Sequence, residues 1–350
     1  MGTDKEHSLN IAAIRAAIEG GLHNLERDPE RGVRNMIDLG KYFSRTHRQR
    51  SFFQMAQRLL GRKRSQYMQL LKRTIAEVDH ETLKTIGINM GYYSWSQGAK
   101  AIREVETERG FNVPWSIVMN VSADAEDSLT LDEINRIISE AHELGTHCFW
   151  IAMSSSEEEI ISTFDVLGTF KDNAFFVLLR SDLVTPNVAN AALKQHNIAI
   201  CLRDVDTASE NVKSAAKILH DARLFYGLYY LYDDSNADDI ISGHVQSDAD
   251  EYHSQFALLI AAENCSEECL AKVQAYASGE KTTPERPPFM VDFFADLAAV
   301  DKIISSDQCF IAIDRCGNIA SSPWAQPGDI NLKTCALTDA LEQLAPREAK

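Results

Sequence analysis

No apolar run in this chain approaches the roughly 20 residues needed to cross a bilayer. The first residues, MGTDKEHSLN, lack the basic-then-apolar order of a secretory signal. Glu6 stands where a myristoylation signal wants Ser or Thr. Positive charge is also short: 35 Lys and Arg against 51 Asp and Glu leave a net −16. That balance argues against bulk affinity for nucleic acid or anionic lipid, so neither partner is expected. Several common catalytic motifs are missing as well. There is no Gly-x-Ser-x-Gly elbow, no P-loop and no Gly-x-Gly-x-x-Gly. No His-Glu-x-x-His or His-x-x-x-His occurs among the ten histidines, which excludes a metalloprotease-type zinc helix.

The seven cysteines, Cys148, Cys201, Cys265, Cys269, Cys309, Cys316 and Cys335, are odd in number and irregular in spacing. They read as reduced thiols of a cytoplasmic protein rather than a disulfide framework. Cys265 and Cys269 are four apart and share a helix face. No third ligand follows at zinc-like spacing, so they are expected to be structural thiols. Cys309 and Cys316 bracket a hairpin signal and are read as packing residues.

What the chain does contain is two kinds of periodicity. Residues 9–106 carry apolar positions at helical spacing, through Ile11, Ile14, Ile18 and Leu22 and again through Phe52, Met55, Ala56 and Leu59. From about residue 113 short β-rich runs take over: Trp115–Val121, Cys148–Met153, Ala174–Leu179, Ile198–Leu202, Phe225–Tyr232, Phe256–Ala261 and Phe289–Phe293. Helix signals lie between them at Leu131–Leu144, Glu157–Leu167, Asn187–Gln195 and Ala208–Ala222. Such alternation implies a parallel sheet with helices outside. Ser278–Pro288, rich in Gly and Pro, is expected to be a loop. A hairpin is expected to turn at Cys316-Gly317-Asn318, before a last helix over Leu332–Leu344.

The framework residues resemble those of radical SAM enzymes that carry a C-terminal cysteine-bearing extension. The resemblance runs from Pro114 to Trp324. It rests on Pro114-Trp115, on Leu129–Ile134 with Glu143-Leu144-Gly145, on Phe225, Gly227 and Asn236, on Asp292-Phe293 with Asp296 and Val300, and on Ile313 and Gly317. It implies an α/β fold: a partial (β/α)6-type TIM-like barrel with a helical N-terminal region and a small C-terminal hairpin-helix extension. The expected divisions are 1–108, 109–300 and 301–350.

The family's cofactor residues do not accompany its framework. A 4Fe–4S cluster needs three thiolates in a Cys-x3-Cys-x2-Cys loop behind the first strand. Here that loop is shortened and begins Val121-Ser122-Ala123, with no cysteine between Pro114 and His147. Met153-Ser154-Ser155-Ser156 stands where the family has Gly-Gly-Glu-Pro, and Arg180-Ser181 where it has Asn-Gly. Cys201-Leu202-Arg203 replaces a Ser-x-Glu pattern, exchanging an acceptor for an obligate donor. Ile303 and Ser322 occupy the places of auxiliary-cluster cysteines. The expectation is a protein without a cluster, SAM or other cofactor, and without radical SAM activity.

In a parallel barrel, function gathers at the C-terminal ends of the strands. The candidates there are Arg180, Arg203, Asp204, Asp292, Ser154 and Ser155. Guanidinium forks suit carboxylate or phosphate, so an anion-binding mouth is one reading. Simple pairing with rim acids is the other. The expected function is binding: a partner or regulator of an active enzyme, or a sensor of a small anionic ligand. The protein partner could be an intact radical SAM enzyme or a second copy of this chain. A metal-free enzyme is the alternative, with Asp204, Asp233, Asp234 or Asp292 in acid–base work. Lys41–Ile75 carries ten Lys or Arg and no acid, so the remainder stands at −26 once those ten are removed from −16. This basic segment either packs on the acidic barrel or docks on an anionic surface; the first is expected, and membrane contact is not.

Overall fold

The computed structural model describes residues 20–21, 28–43, 47–61, 65–123, 127–203, 209–305 and 307–347. Among the residues described from 28 onward, three helices come first: α1 (Pro29–Phe43), α2 (His47–Leu60) and α3 (Gln66–Glu77). Proline opens α1, where its missing N–H costs no intrahelical bond. Ser65 caps α3 by accepting from the Met68 N–H. These helices share a small core of Val33, Ile37, Met68 and Ile75. Then come α4 (His80–Ile88), a π-helical stretch (Asn89–Gly98) and α5 (Ala99–Arg109). Unlike α1–α3, these contribute Ile86, Ala99 and Ile102 to the main core of the barrel. Gly98 is needed where it stands. A Cβ there would lie 2.4 Å from the Gly145 carbonyl oxygen, so the two backbones approach directly.

The barrel follows as an unbroken alternation: β1 (Ser116–Asn120), α6 (Leu131–Leu144), β2 (Cys148–Ala152), α7 (Glu157–Leu167), β3 (Ala174–Arg180), α8 (Pro186–Gln195), β4 (Ile198–Arg203), α9 (Ser209–Asp221) and β5 (Tyr226–Tyr232). A short helix, α10 (Val245–Glu251), precedes β6 (Phe256–Ala261); α11 (Glu267–Thr282) precedes β7 (Phe289–Asp292), which runs into α12 (Phe293–Ile304). A hairpin of β8 (Ala312–Ile313) and β9 (Ile319–Ala320) and the helix α13 (Leu337–Leu344) complete the order. Helices α6 and α7 start at reciprocal capping boxes, Thr130 with Glu133 and Ser156 with Glu159, which fix their first turns.

The sheet runs β7-β6-β5-β4-β3-β2-β1-β8-β9, parallel throughout except for the β8–β9 pair. It curls into a partial α/β barrel, as expected. The hairpin is not an appendage beside that barrel. β8 pairs in parallel with β1, Val118 opposite Ala312, and so extends the same sheet. One expected loop is shorter than its composition suggests. α11 continues through Gly279 to Thr282 and stops only before Pro284. A glycine inside a helix costs about 1 kcal/mol and is tolerated, whereas proline removes a bond and clashes.

Side chains at alternate positions line the inner face of the sheet. Trp150 and Phe176 stack there with ring centroids 4.4 Å apart, Phe293 meets Trp150 edge-on at 5.0 Å, and Phe256 meets Phe176 at 6.1 Å. Phe256 crosses over Gly227, where a Cβ would fall 2.4 Å from its ring. α12 lies along this face. The Trp115 indole donates to the Leu297 carbonyl, and the Arg103 guanidinium to that of Ile304. The bore is therefore packed with aromatic rings and a helix. No helix is long and apolar enough to cross a membrane among the described residues.

Candidate functional site

The rim at the strand C-termini is built from loops that grip one another. Behind β1, the Asn120 side chain accepts from the Ser122 N–H at 3.0 Å. The Ser154 N–H donates to Ser122 Oγ at 2.8 Å, and the Ala123 N–H donates to Ser155 Oγ at 2.9 Å. Ser154 and Ser155 thus zip the β2 loop to the β1 loop. Asp204 lies outside the described residues.

Arg180 and Arg203 end adjacent strands and are direct partners in register, as Arg203 and Tyr229 are across β4 and β5. The three side chains form a row on the inner face, one strand spacing of about 4.8 Å apart. Arg180 is 49% exposed and is held by its own chain: Nε donates to Asp182 Oδ1 at 2.9 Å and Nη2 to Oδ2 at 2.6 Å. Such a bidentate fork fixes the guanidinium plane. Arg203, half-buried, lies beside Tyr229 in register, and its charge acts on the phenol. Burial lifts Tyr229 to about 12, with Arg203 and Arg180 pulling the other way, so the phenol stays protonated at neutral pH. Tyr229 belongs to this row but carries no motif in the sequence. Only its place on strand five, two residues after Gly227, could have marked it.

Asp292 does not join the row. It is buried at the end of β7 and caps α12, accepting from the Ala295 N–H at 3.3 Å. Its own N–H donates to Asp296, which pairs with Lys281 at 2.5 Å. Burial raises the Asp292 carboxyl, and the Asp296 charge adds to the rise. Asp233 and Asp234 are engaged locally. Asp233 accepts from Ser235, and Asp234 accepts from the Ser266 N–H at 2.8 Å at the start of α11.

A cluster of the radical SAM kind does not fit these residues. Behind β1 the described positions offer Val121, Ser122 and Ala123, with Ser122 Oγ already bonded to the β2 loop. Cys148 and Cys201 face the bore, but both are fully buried, and burial pushes their thiols far up. They are two thiols on separate strands, not the three of one loop that such a cluster needs. Elsewhere, Cys265 and Cys269 come within 4.8 Å of Asp234, and Glu77, His220 and His253 form a second close trio. The first adds the distant Asp234 to the Cys265 and Cys269 pair already visible from its spacing, whereas the second joins three residues distant in sequence that no spacing pattern announced.

No family model matches the chain, and no curated protein matches it. Among solved structures, Streptococcus suis SuiB bound to S-adenosylmethionine is similar, with a TM-score of 0.52 at 13% identity over 69% of this chain. A second crystal structure of SuiB gives 0.52 at 12% identity, covering 69% of this chain and 68% of that one. The chain spans 66% of the length of the SAM-bound SuiB chain, just under two thirds. At such identity the likeness is one of fold alone, and the shared fold is a partial α/β barrel.

Proposed function

We propose that this chain works by binding rather than by radical chemistry, and that Arg180 and Arg203 receive carboxylate or phosphate groups of a partner at the barrel rim. An acidic segment of another protein is the favoured occupant, with an intact radical SAM enzyme and a second copy of this chain as candidates. The filled bore carries the reading. Trp150, Phe176, Phe256 and Phe293 occupy the space below the rim, which favours a shallow contact over an enclosed small molecule. The in-register guanidinium pair supplies the charge for that contact. It works against a net −16 over the whole chain, so its pull is local and falls within about a Debye length, near 8 Å at physiological salt.

Two measurements test this. Anaerobic reconstitution with iron, sulfide and SAM should leave no stoichiometric cluster; a bound cluster that cleaves SAM refutes the proposal. A fluorescent glutamate-rich peptide should bind the wild-type chain in a salt-sensitive way and bind Arg203→Gln at least severalfold more weakly. Equal binding to both rejects the rim as the contact.

A further inference from the structure

At the opposite end of the sheet from the rim, three side chains from separate segments converge. Glu77 is the last residue of α3, His220 lies in the last turn of α9, and His253 sits in the turn that leads into β6. One donor atom from each lies within 4.8 Å of those of the other two. His253 Nδ1 is 3.0 Å from Glu77 Oε1, His220 Nε2 is 3.9 Å from Glu77 Oε2, and the imidazole centroids are 4.9 Å apart.

Two of these atoms are conspicuous. Glu77 Oε2 and His220 Nε2 are both buried and both lack a hydrogen-bond partner. Buried polar atoms are normally satisfied, and two that face one another need a common partner. The other nitrogen of His220 lies 4.0 Å from Asp221 Oδ1, beyond hydrogen-bond distance. His253 holds its place with a left-handed backbone, φ 55°, which is uncommon outside glycine. Arg73, one turn back on α3, uses its terminal nitrogens elsewhere, donating to the Ser254 carbonyl and pairing with Asp250 at 3.6 Å, while its buried Nε has no hydrogen-bond partner.

We propose that Glu77, His220 and His253 bind a divalent transition-metal ion of the zinc class, which ties α3 to the base of the barrel. Two imidazoles and one carboxylate are a donor set that zinc favours. Bonds of about 2.0–2.1 Å in a tetrahedron place ligand atoms about 3.3 Å apart; His253 Nδ1 lies 3.0 Å from one oxygen of Glu77 and His220 Nε2 lies 3.9 Å from the other. His220 and His253 are 38% and 49% exposed, so the trio borders solvent. The ion would give both orphaned atoms a partner and neutralise a carboxylate held at the seam between two cores. This site is independent of the rim, and its failure would leave the binding proposal untouched.

The test uses the full chain, stripped with chelator and titrated with Co2+ and with Zn2+. Expected are one ion held without thiolate-to-cobalt charge-transfer absorption, a zinc-dependent rise in the thermal midpoint, and loss of both in Glu77→Gln and in His220→Ala. Each variant should weaken binding by at least about tenfold. If either fails to fold, the exposed His253→Gln is read the same way. Three results overturn the proposal: a chain that binds neither metal, a cobalt spectrum dominated by thiolate bands from Cys265 and Cys269, or an affinity that survives the substitutions.

Discussion

Trp150 and Phe176, neighbours in register on β2 and β3, stack at 4.4 Å with their planes 23° apart on the inner face of the sheet. Their contact fills part of the bore. Phe176→Ala should therefore do two things. It should destabilise the chain by about 3–5 kcal/mol, the usual cost of emptying a buried aromatic site. It should also admit a small aromatic probe such as indole, which the wild-type chain excludes. Urea unfolding with and without indole checks both; a variant that is destabilised but takes up no probe means that the neighbours have collapsed inward.

Asp182 competes with any partner for Arg180. Its carboxylate occupies both donors of the fork, so Asp182→Asn should free the guanidinium and strengthen peptide binding severalfold. Arg203→Gln should have the opposite effect. Fluorescence anisotropy with a glutamate-rich peptide, repeated at low and physiological salt, separates the two. If Asp182→Asn weakens binding, the Arg180–Asp182 pair acts as a unit and the rim is wrongly described as a pinned anion site.

Two buried groups give stability opposite slopes against pH. Burial, with Glu106 and Asp307 adding repulsion, lifts Asp301 from 3.8 to about 7. The folded state keeps a proton that the unfolded chain releases, so this contribution is complete below pH 3.8 and is lost as pH rises through about 7. His147 behaves inversely. Burial, then His142, depress it from 6.5 to about 4, so its contribution is present above pH 6.5 and is lost as pH falls through about 4. Asp301→Asn should accordingly gain on the wild type as pH rises from about 4 to 7, and His147→Gln should gain as pH falls across the same window. Denaturation midpoints across that range decide; a pH-independent difference for either variant removes its group from the account.

Gly227→Ala should destabilise by about 1–3 kcal/mol, because the new methyl would meet the Phe256 ring and carbonyl at 2.4–2.5 Å and neither can retreat from the middle of a sheet. Thermal unfolding measures this. A neutral result would mean that β5 and β6 slide apart more easily than their six paired positions suggest.

Most of the barrel was legible because its signals are local. Leu131–Leu144 and Glu157–Leu167 begin and end as read, since a capping box opens each and Gly145 or Gly168 follows. The π-helical stretch Asn89–Gly98 was read only as helix; periodicity does not distinguish one extra residue per turn when Asn89 is tied from outside, by bonds to the Lys171 and Asn173 carbonyls. At the rim, Arg180 and Arg203 were visible as strand ends, and their pairing follows from sheet register. Asp182 was within sight two residues on. Tyr229 was not, because a tyrosine on a strand usually means packing. The Glu77, His220 and His253 trio was out of reach altogether, for its members meet only when α3 docks on the barrel floor.

β8 lies beside β1, yet Val118 must wait for Ala312 to be its neighbour. On the ribosome, seven strands can assemble while the outer flank of β1 still shows unpaired amides and carbonyls, an open template for another chain. Synthesis of residues 312–320 closes that flank. A chain that stops short of Ala312 would keep that flank open to pairing with other chains.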